Sequence, residues 1–248
     1  MKKILIAISY KLGFRLLSLN SPITNPFKAK KYLINKTSPT IFDIGGHEGE
    51  TSLMYNANFD TPCIYSFEPF LPSFEKLKDS VKSFPNIQIF NTAISNFTGK
   101  VDFHVNKLSA TNSILPTSED SEKNWGENIL DTIDTIKVSS TTIDDFVEKF
   151  KIETIDILKI DTQGTEYEII EGAGKSIEQN KIKIIYLEII IVSTYQGQKY
   201  SDEIFLLLRN KGFQLFNLYN FTYSDKGELK QFDALFIHKE FALPDKNL

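Results

Sequence analysis

Two apolar runs constrain this chain more than anything else in it: IDILKI over residues 155–160 and IKIIYLEIII over 182–191. Neither alternates cleanly between apolar and polar. Strands of this kind are buried on both faces, as happens when crossover helices cover both sides of a parallel sheet. A helical stretch over about residues 164–178 lies between them. Upstream the same rhythm holds. Strands over 40–44, 63–67 and 87–91 alternate with helices over 48–57 and 71–83, and Pro72 falls near a helix start, where proline is tolerated. Residues 101–105 follow a Thr98-Gly99 turn and read as an added strand; 136–139 read as a short strand and 142–150 as a helix. This β-α alternation predicts an α/β fold with a mostly parallel sheet and helices on both faces. The tail departs from it. After a helix over 201–211, stopped by Gly212, the runs 213–218 and 232–238 have no helix between them. They are expected to pair as an antiparallel hairpin.

With 248 residues the chain can bury one sizeable core and needs no second domain. The expected division is a lead-in over 1–39 and a domain over 40–248. The lead-in opens with MKKILIAISYKLGFRLL, in which Ile4, Leu5, Ile8, Leu12, Leu16 and Leu19 fall near helical spacing. An amphipathic helix packed on the domain or on a second subunit is one reading, and a helix lying on membrane lipid is another. Residues 20–39, with Pro22, Pro26 and Pro39, read as loop. A net charge of −4 argues against a nucleic-acid partner, which would call for a basic face. The lone cysteine, Cys63, excludes an internal disulfide and any zinc site of several thiolates. It fits a reducing, cytoplasmic compartment, with the inner membrane surface as the place such a helix would reach.

The candidate chemistry sits at strand ends. Asp43-Ile-Gly45-Gly46-His47-Glu48-Gly49 closes the first strand, where open α/β sheets bind ligands. The order G-G-x-x-G does not match the dinucleotide fingerprint G-x-G-x-x-G. Glu68 ends the second strand, about twenty residues on, where a carboxylate can accept both ribose hydroxyls of an adenosine. Asp161 ends one buried strand and Glu188 interrupts the next. Together they could position an acceptor hydroxyl and take its proton. They could also hold a divalent cation, which no His-rich motif supports. Asp161 could instead cap the following helix. Gln163 cannot act as a base but can bind by its amide. Glu166 reads as a helix-surface residue, and His238 as structural.

Taken in order, IFDIGGHEGE, YSFEP, NTAIS, LKIDTQGTEYEIIEGA and IIYLEI resemble the FkbM-type family of S-adenosylmethionine (SAM)-dependent methyltransferases over about residues 40–238. The resemblance implies a class I methyltransferase fold, Rossmann-like, with a seven-stranded sheet ending in a hairpin. It implies that Asp43, Gly45, Gly46 and Gly49 form the turn beside the methionine part of SAM, with His47 and Thr51 alongside. Glu68 would hold the ribose, and Ala93 and Ile94 would lie along the adenine. His104, Asn112 and Ser113, in or beside the irregular segment 106–135, would line the acceptor pocket with Gln163. Family members often carry Ala-Asn where Gly46-His47 stand, and Glu where Gln163 stands. The expected activity is O-methylation of a hydroxyl on a glycan or other small molecule. A nicotinamide-dependent oxidoreductase would share the glycine turn and Glu68. A non-catalytic module that binds SAM or a partner would share the cofactor motif.

Overall fold

The computed structural model describes residue 9, residues 11–13, 18–19 and 21–242. Most of the expected N-terminal helix lies outside these residues. The first full element is a helix that the loop reading missed, α1 (Pro26–Ile34). Its proline stands in the first turn, where no intrahelical N–H is needed, and Asn25 caps it by accepting from Lys28 N. Then follow β1 (Thr40–Ile44), α2 (Glu50–Asn58), β2 (Cys63–Phe67), α3 (Leu71–Val81), β3 (Ile87–Phe90), β4 (Ala93–Ile94) and β5 (Gly99–Asn106). A 3-10 turn (Ser109–Thr111) and a short helix, α4 (Ser121–Trp125), lead to β6 (Thr132–Thr141) and α5 (Ile143–Phe150). The chain ends through β7 (Ile155–Ile160), α6 (Glu166–Glu171), α7 (Gly174–Glu178), β8 (Ile182–Ile190), α8 (Ser201–Asn210), β9 (Phe213–Tyr223) and β10 (Leu229–His238).

Seven strands form one sheet in the order β3-β2-β1-β7-β8-β10-β9. The first five of these run parallel, and β10 is antiparallel to both β8 and β9. The terminal hairpin and the seven-stranded sheet of a class I methyltransferase are therefore present. Alternation along the strands fills both faces, as a two-residue repeat requires. Phe42, Ile44, Leu158 and Ile160 pack towards α5, α6 and α8, while Ile41, Ile64, Ile157 and Ile184 pack towards α1, α2 and α3. The single helix expected over 164–178 is two, broken around Gly172-Ala173. Any Cβ on Gly172 would overlap the main-chain oxygen of Ser95, so the chain can approach β4 there only as glycine.

The segment read as irregular is partly regular. β6 begins at Thr132, is flanked by β4 and β5, and forms a second, three-stranded sheet with its own apolar cluster of Ala93, Val101, Phe103, Val105 and Val138.

Helix α1 is bound into the main fold by an unusual lysine. Lys30 is 1% exposed. Its ammonium donates to the Tyr55 hydroxyl at 2.9 Å and lies 3.8 Å from the ring centre of Tyr186 and 4.2 Å from that of Phe27. Burial draws its pKa down to about 7, against the attraction of Asp233.

Candidate active site

Strand order reverses between β1 and β7: the chain leaves β1 for β2 on one side and reaches β7 on the other. Crevices at the carboxyl ends of such strands are where α/β sheets take ligands. Here the crevice is a cavity of about 340 Å³.

The glycine turn forms its floor by close packing against protein as well as by leaving room for a ligand. Gly45 has φ of 77°, and a Cβ there would overlap the main-chain oxygen of Asp161. A Cβ on Gly46 would overlap Ser66 Oγ. The Gly45 and Gly46 amides both donate to Phe67 O, at 3.1 and 2.9 Å. The turn is thus pressed onto the ends of β2 and β7 at once. Gly49, behind it, faces Leu77 of α3 and is outside the cavity lining.

Of the residues expected around a cofactor, Gly45, Gly46, His47, Thr51, Glu68, Ala93 and Ile94 line the cavity. Glu68 is 6% exposed, and its two oxygens accept from His47 N at 3.0 Å and Phe70 N at 2.8 Å. Burial pushes its pKa up to about 7, against the pull of those amides. His47 also reaches outward: Nε2 is 3.0 Å from Ser109 Oγ, tying the turn to the β5–β6 connection.

Asp43 sits beneath the cavity, fully buried. It accepts from Ser52 Oγ at 2.6 Å and pairs with Lys159 at 3.1 Å. Lys159, which the sequence reading did not single out, is the bracket of the site. It lies in β7 with a side chain 5% exposed, donates to Gly45 O at 2.8 Å and Ile44 O at 3.2 Å, and stands 3.7 Å from Asp161. Burial disfavours its charge, but Asp43 and Asp161 outweigh burial and raise its pKa. The signal was a lysine inside an otherwise apolar run, which needs a buried partner to be tolerated.

Asp161 and Glu188 meet at the same end of the cavity, joined by Gln163. Its Nε2 donates to Glu188 Oε2 at 2.8 Å and to Asp161 Oδ1 at 3.1 Å. Gln231 donates to the other Glu188 oxygen at 3.0 Å. Burial, then the charges of Asp161, Asp233 and Glu166, hold the Glu188 pKa well above the usual carboxylate range. Asp161 does not cap the next helix, which has no side-chain cap. Glu166 is 3% exposed, not on the surface, and accepts from the Thr162 and Gly164 amides of the loop before that helix. Burial takes the Glu166 pKa up to about 7.

The acceptor-side expectations divide. Asn112 lines the cavity with Gln163, Asp161 and Glu188. His104 and Ser113 do not: the His104 ring meets Thr135 on the β5–β6 ladder, and Ser113 Oγ donates to Gln163 O at 2.7 Å. Strand alternation turns these two side chains away from the neighbours that face the ligand space. Among the described residues no group of three or more His, Cys, Asp or Glu is placed to hold a metal ion, and no helix is long and apolar enough to cross a membrane.

These residues fit SAM. A buried carboxylate faces the cavity where a ribose diol would need acceptors, apolar Ala93, Ile94 and Phe103 offer a slot for an adenine, and the glycine turn gives main chain without side chains for the methionine part.

Comparison with known proteins adds the following. Residues 43–215 match the family model described as "Methyltransferase FkbM domain". The chain is similar to the 2-O-methyltransferase NoeI of Sinorhizobium fredii, 26% identical over 174 residues that cover 67% of this chain and 69% of that one. Among solved structures it is similar to the precorrin-6y C5,15-methyltransferase of Geobacter metallireducens, with 10% identity, TM-score 0.47, and 86% and 87% of the two chains covered. It is also similar to an rRNA methylase of Streptococcus thermophilus, with 10% identity, TM-score 0.48, and 87% and 98% covered.

Proposed function

The chain belongs to the FkbM methyltransferase family, and from that premise we propose that it O-methylates a hydroxyl on a sugar, glycan or other small hydroxylated acceptor, with SAM as donor. The observation that carries the acceptor reading is the convergence, in one cavity, of a cofactor-side carboxylate and a separate pair of carboxyls. The 2-O-methyltransferase named among its relatives supports oxygen as the atom methylated.

SAM, when bound, supplies a methyl group activated on a sulfonium. The rest is work for side chains. Glu68 accepts hydrogen bonds from the ribose and anchors the donor, and Lys159 fixes the turn beneath it. Asp161 is the more open carboxyl of the pair, its side chain 40% exposed. It takes the hydroxyl proton as the new bond forms. Glu188 orients that hydroxyl from deeper in the cavity. Alignment of acceptor with donor is the larger share of the catalysis, because a well-oriented pair gains about 7–11 kcal/mol over free encounter.

Calorimetric titration with S-adenosylhomocysteine (SAH), with NAD alongside and Glu68→Ala as control, tests the cofactor side. SAH alone binds, and the mutant loses it. Transfer of labelled methyl from SAM to a panel of methyl glycosides and other polyols, with Asp161→Asn as control, tests the acceptor side. Binding of NAD instead of SAH would refute the reading.

A further inference from the structure

The β5–β6 connection roofs the cavity: Ser109, Ala110, Asn112 and Ile114 all line it. One residue of the opposite wall is bonded both to this roof and to the carboxyls. Gln163 offers its main-chain oxygen to Ser113 Oγ at 2.7 Å. The Tyr195 hydroxyl shares its one proton between the Gln163 side-chain oxygen, at 3.1 Å, and Thr111 O, at 2.8 Å. The Gln163 amino group spans Asp161 and Glu188. All four contacts come from a residue held at φ of 60°, followed by Gly164 at 103°. A left-handed non-glycine residue is uncommon and persists where its surroundings over-determine it. Ser113 is fully buried and Tyr195 is 2% exposed, so neither bond competes with bulk water.

We propose that Gln163 is a positioning residue through which the roof of the cavity sets the carboxyl pair: Ser113 and Tyr195 fix its backbone and amide, and the amide converges Asp161 and Glu188 on the acceptor. This deepens the methyltransferase reading and rests on it for the pair's purpose. It assigns Gln163 a role other than direct substrate contact. A glutamate here would place a third carboxyl between two others. The amide instead supplies two donors and no charge. Ser113 makes no hydrogen bond to either carboxyl, whereas Gln163 is bonded both to Ser113 and to the two carboxyls.

The test uses the full chain with ¹³C-labelled Glu side chains. The Glu188 carboxyl resonance is identified by its loss in Glu188→Gln, and its titration midpoint is followed by NMR. Gln163→Met removes the donor that favours the ionised carboxyl, so the midpoint rises, by about one unit or a tenfold change in the protonation ratio. Ser113→Ala and Tyr195→Phe each raise it in the same direction. In the Gln163→Met background neither shifts it further. If Gln163→Met fails to fold, Gln163→Gly, which suits the left-handed backbone, takes its place. An unmoved midpoint in both Ser113→Ala and Tyr195→Phe overturns the proposal. So does a shift that is as large without Gln163 as with it. SAH titration of the same variants reports on the methyltransferase reading separately, since loss of SAH binding in the unmodified chain would refute that reading and leave the midpoints untouched.

Discussion

Lys159→Met should be among the most damaging single changes available in this protein, and its size can be worked out from the neighbours. The lysine and Asp43 form a pair whose side chains are 5% and 0% exposed. Removing one partner of such a pair leaves an uncompensated buried charge, at a cost of about 3–5 kcal/mol. Ile44 O keeps a donor, the Asp161 amide at 3.1 Å, but Gly45 O loses its lysine contact. A deprived carbonyl that is only part-buried adds about 1 kcal/mol. The expected loss is about 4–6 kcal/mol, a large share of the 5–15 kcal/mol typical of a domain. The shorter pair Lys76–Glu48, at 2.6 Å but with side chains 63% and 31% exposed, contributes little because water screens it. Desolvation decides the ranking, not distance. Urea unfolding of the two single variants, Lys159→Met and Lys76→Met, measures both. Adding Asp43→Asn to Lys159→Met removes the stranded charge and should recover part of the loss, so the double variant is less damaged than the sum of the singles. A loss below about 1 kcal/mol for Lys159→Met, or strict additivity with Asp43→Asn, would refute the reasoning.

Two further outcomes are expected. Glu68 must be ionised to accept a ribose diol, and its pKa stands at about 7 in the free protein, so SAH affinity should fall up to tenfold per pH unit below 7 and level off above it. Calorimetry at several pH values checks this, and Glu68→Gln should flatten the profile. The sign for folding is opposite: a carboxyl whose pKa is raised on folding contributes stability that is full below about 4.5 and lost as pH rises through about 7. Gly46→Ala should destabilise the turn because its Cβ meets Ser66 Oγ, whereas Leu77 is 3.5 Å away. Combining it with Ser66→Ala should restore much of the thermal stability, and no restoration would mean that the clash lies elsewhere.

The strands were legible in the sequence because their apolar runs admit few alternatives. β1, β2 and β7 have the limits that their composition suggests. Much of the cavity wall was legible too, because strand ends and glycine turns have fixed places in such sheets. What stayed hidden were polar residues whose tolerance depends on distant partners. Lys159 makes sense only beside Asp43, from another strand. Asp156, buried in the same run, is held by Lys36 and Lys183, each at 2.7 Å. Glu166 was misread because a charged residue opening a helix usually faces water, whereas here it bends back onto the amides of its own loop. Helix α1 was masked by Pro26, which as easily opens a helix as breaks one. The roof eluded periodicity because it holds only a 3-10 turn, a short helix and isolated bridges, and it is tied down by hydrogen bonds to His47, Gln163 and Tyr195 from other parts of the chain.

The lysine cage of α1 also bears on the order in which the chain can assemble. Lys30 is synthesised shortly before Tyr55, and both long before Tyr186 on β8. Until β8 is made, the ammonium has no third ring against which to shed its water, and α1 has only part of its seat. The same holds for β1, which can pair with β2 early but waits for β7 on its other edge. Such long-range closures are late events in folding. A nascent chain of this protein therefore carries a partly seated amphipathic helix and a half-paired central strand until β7 and β8 have both been made.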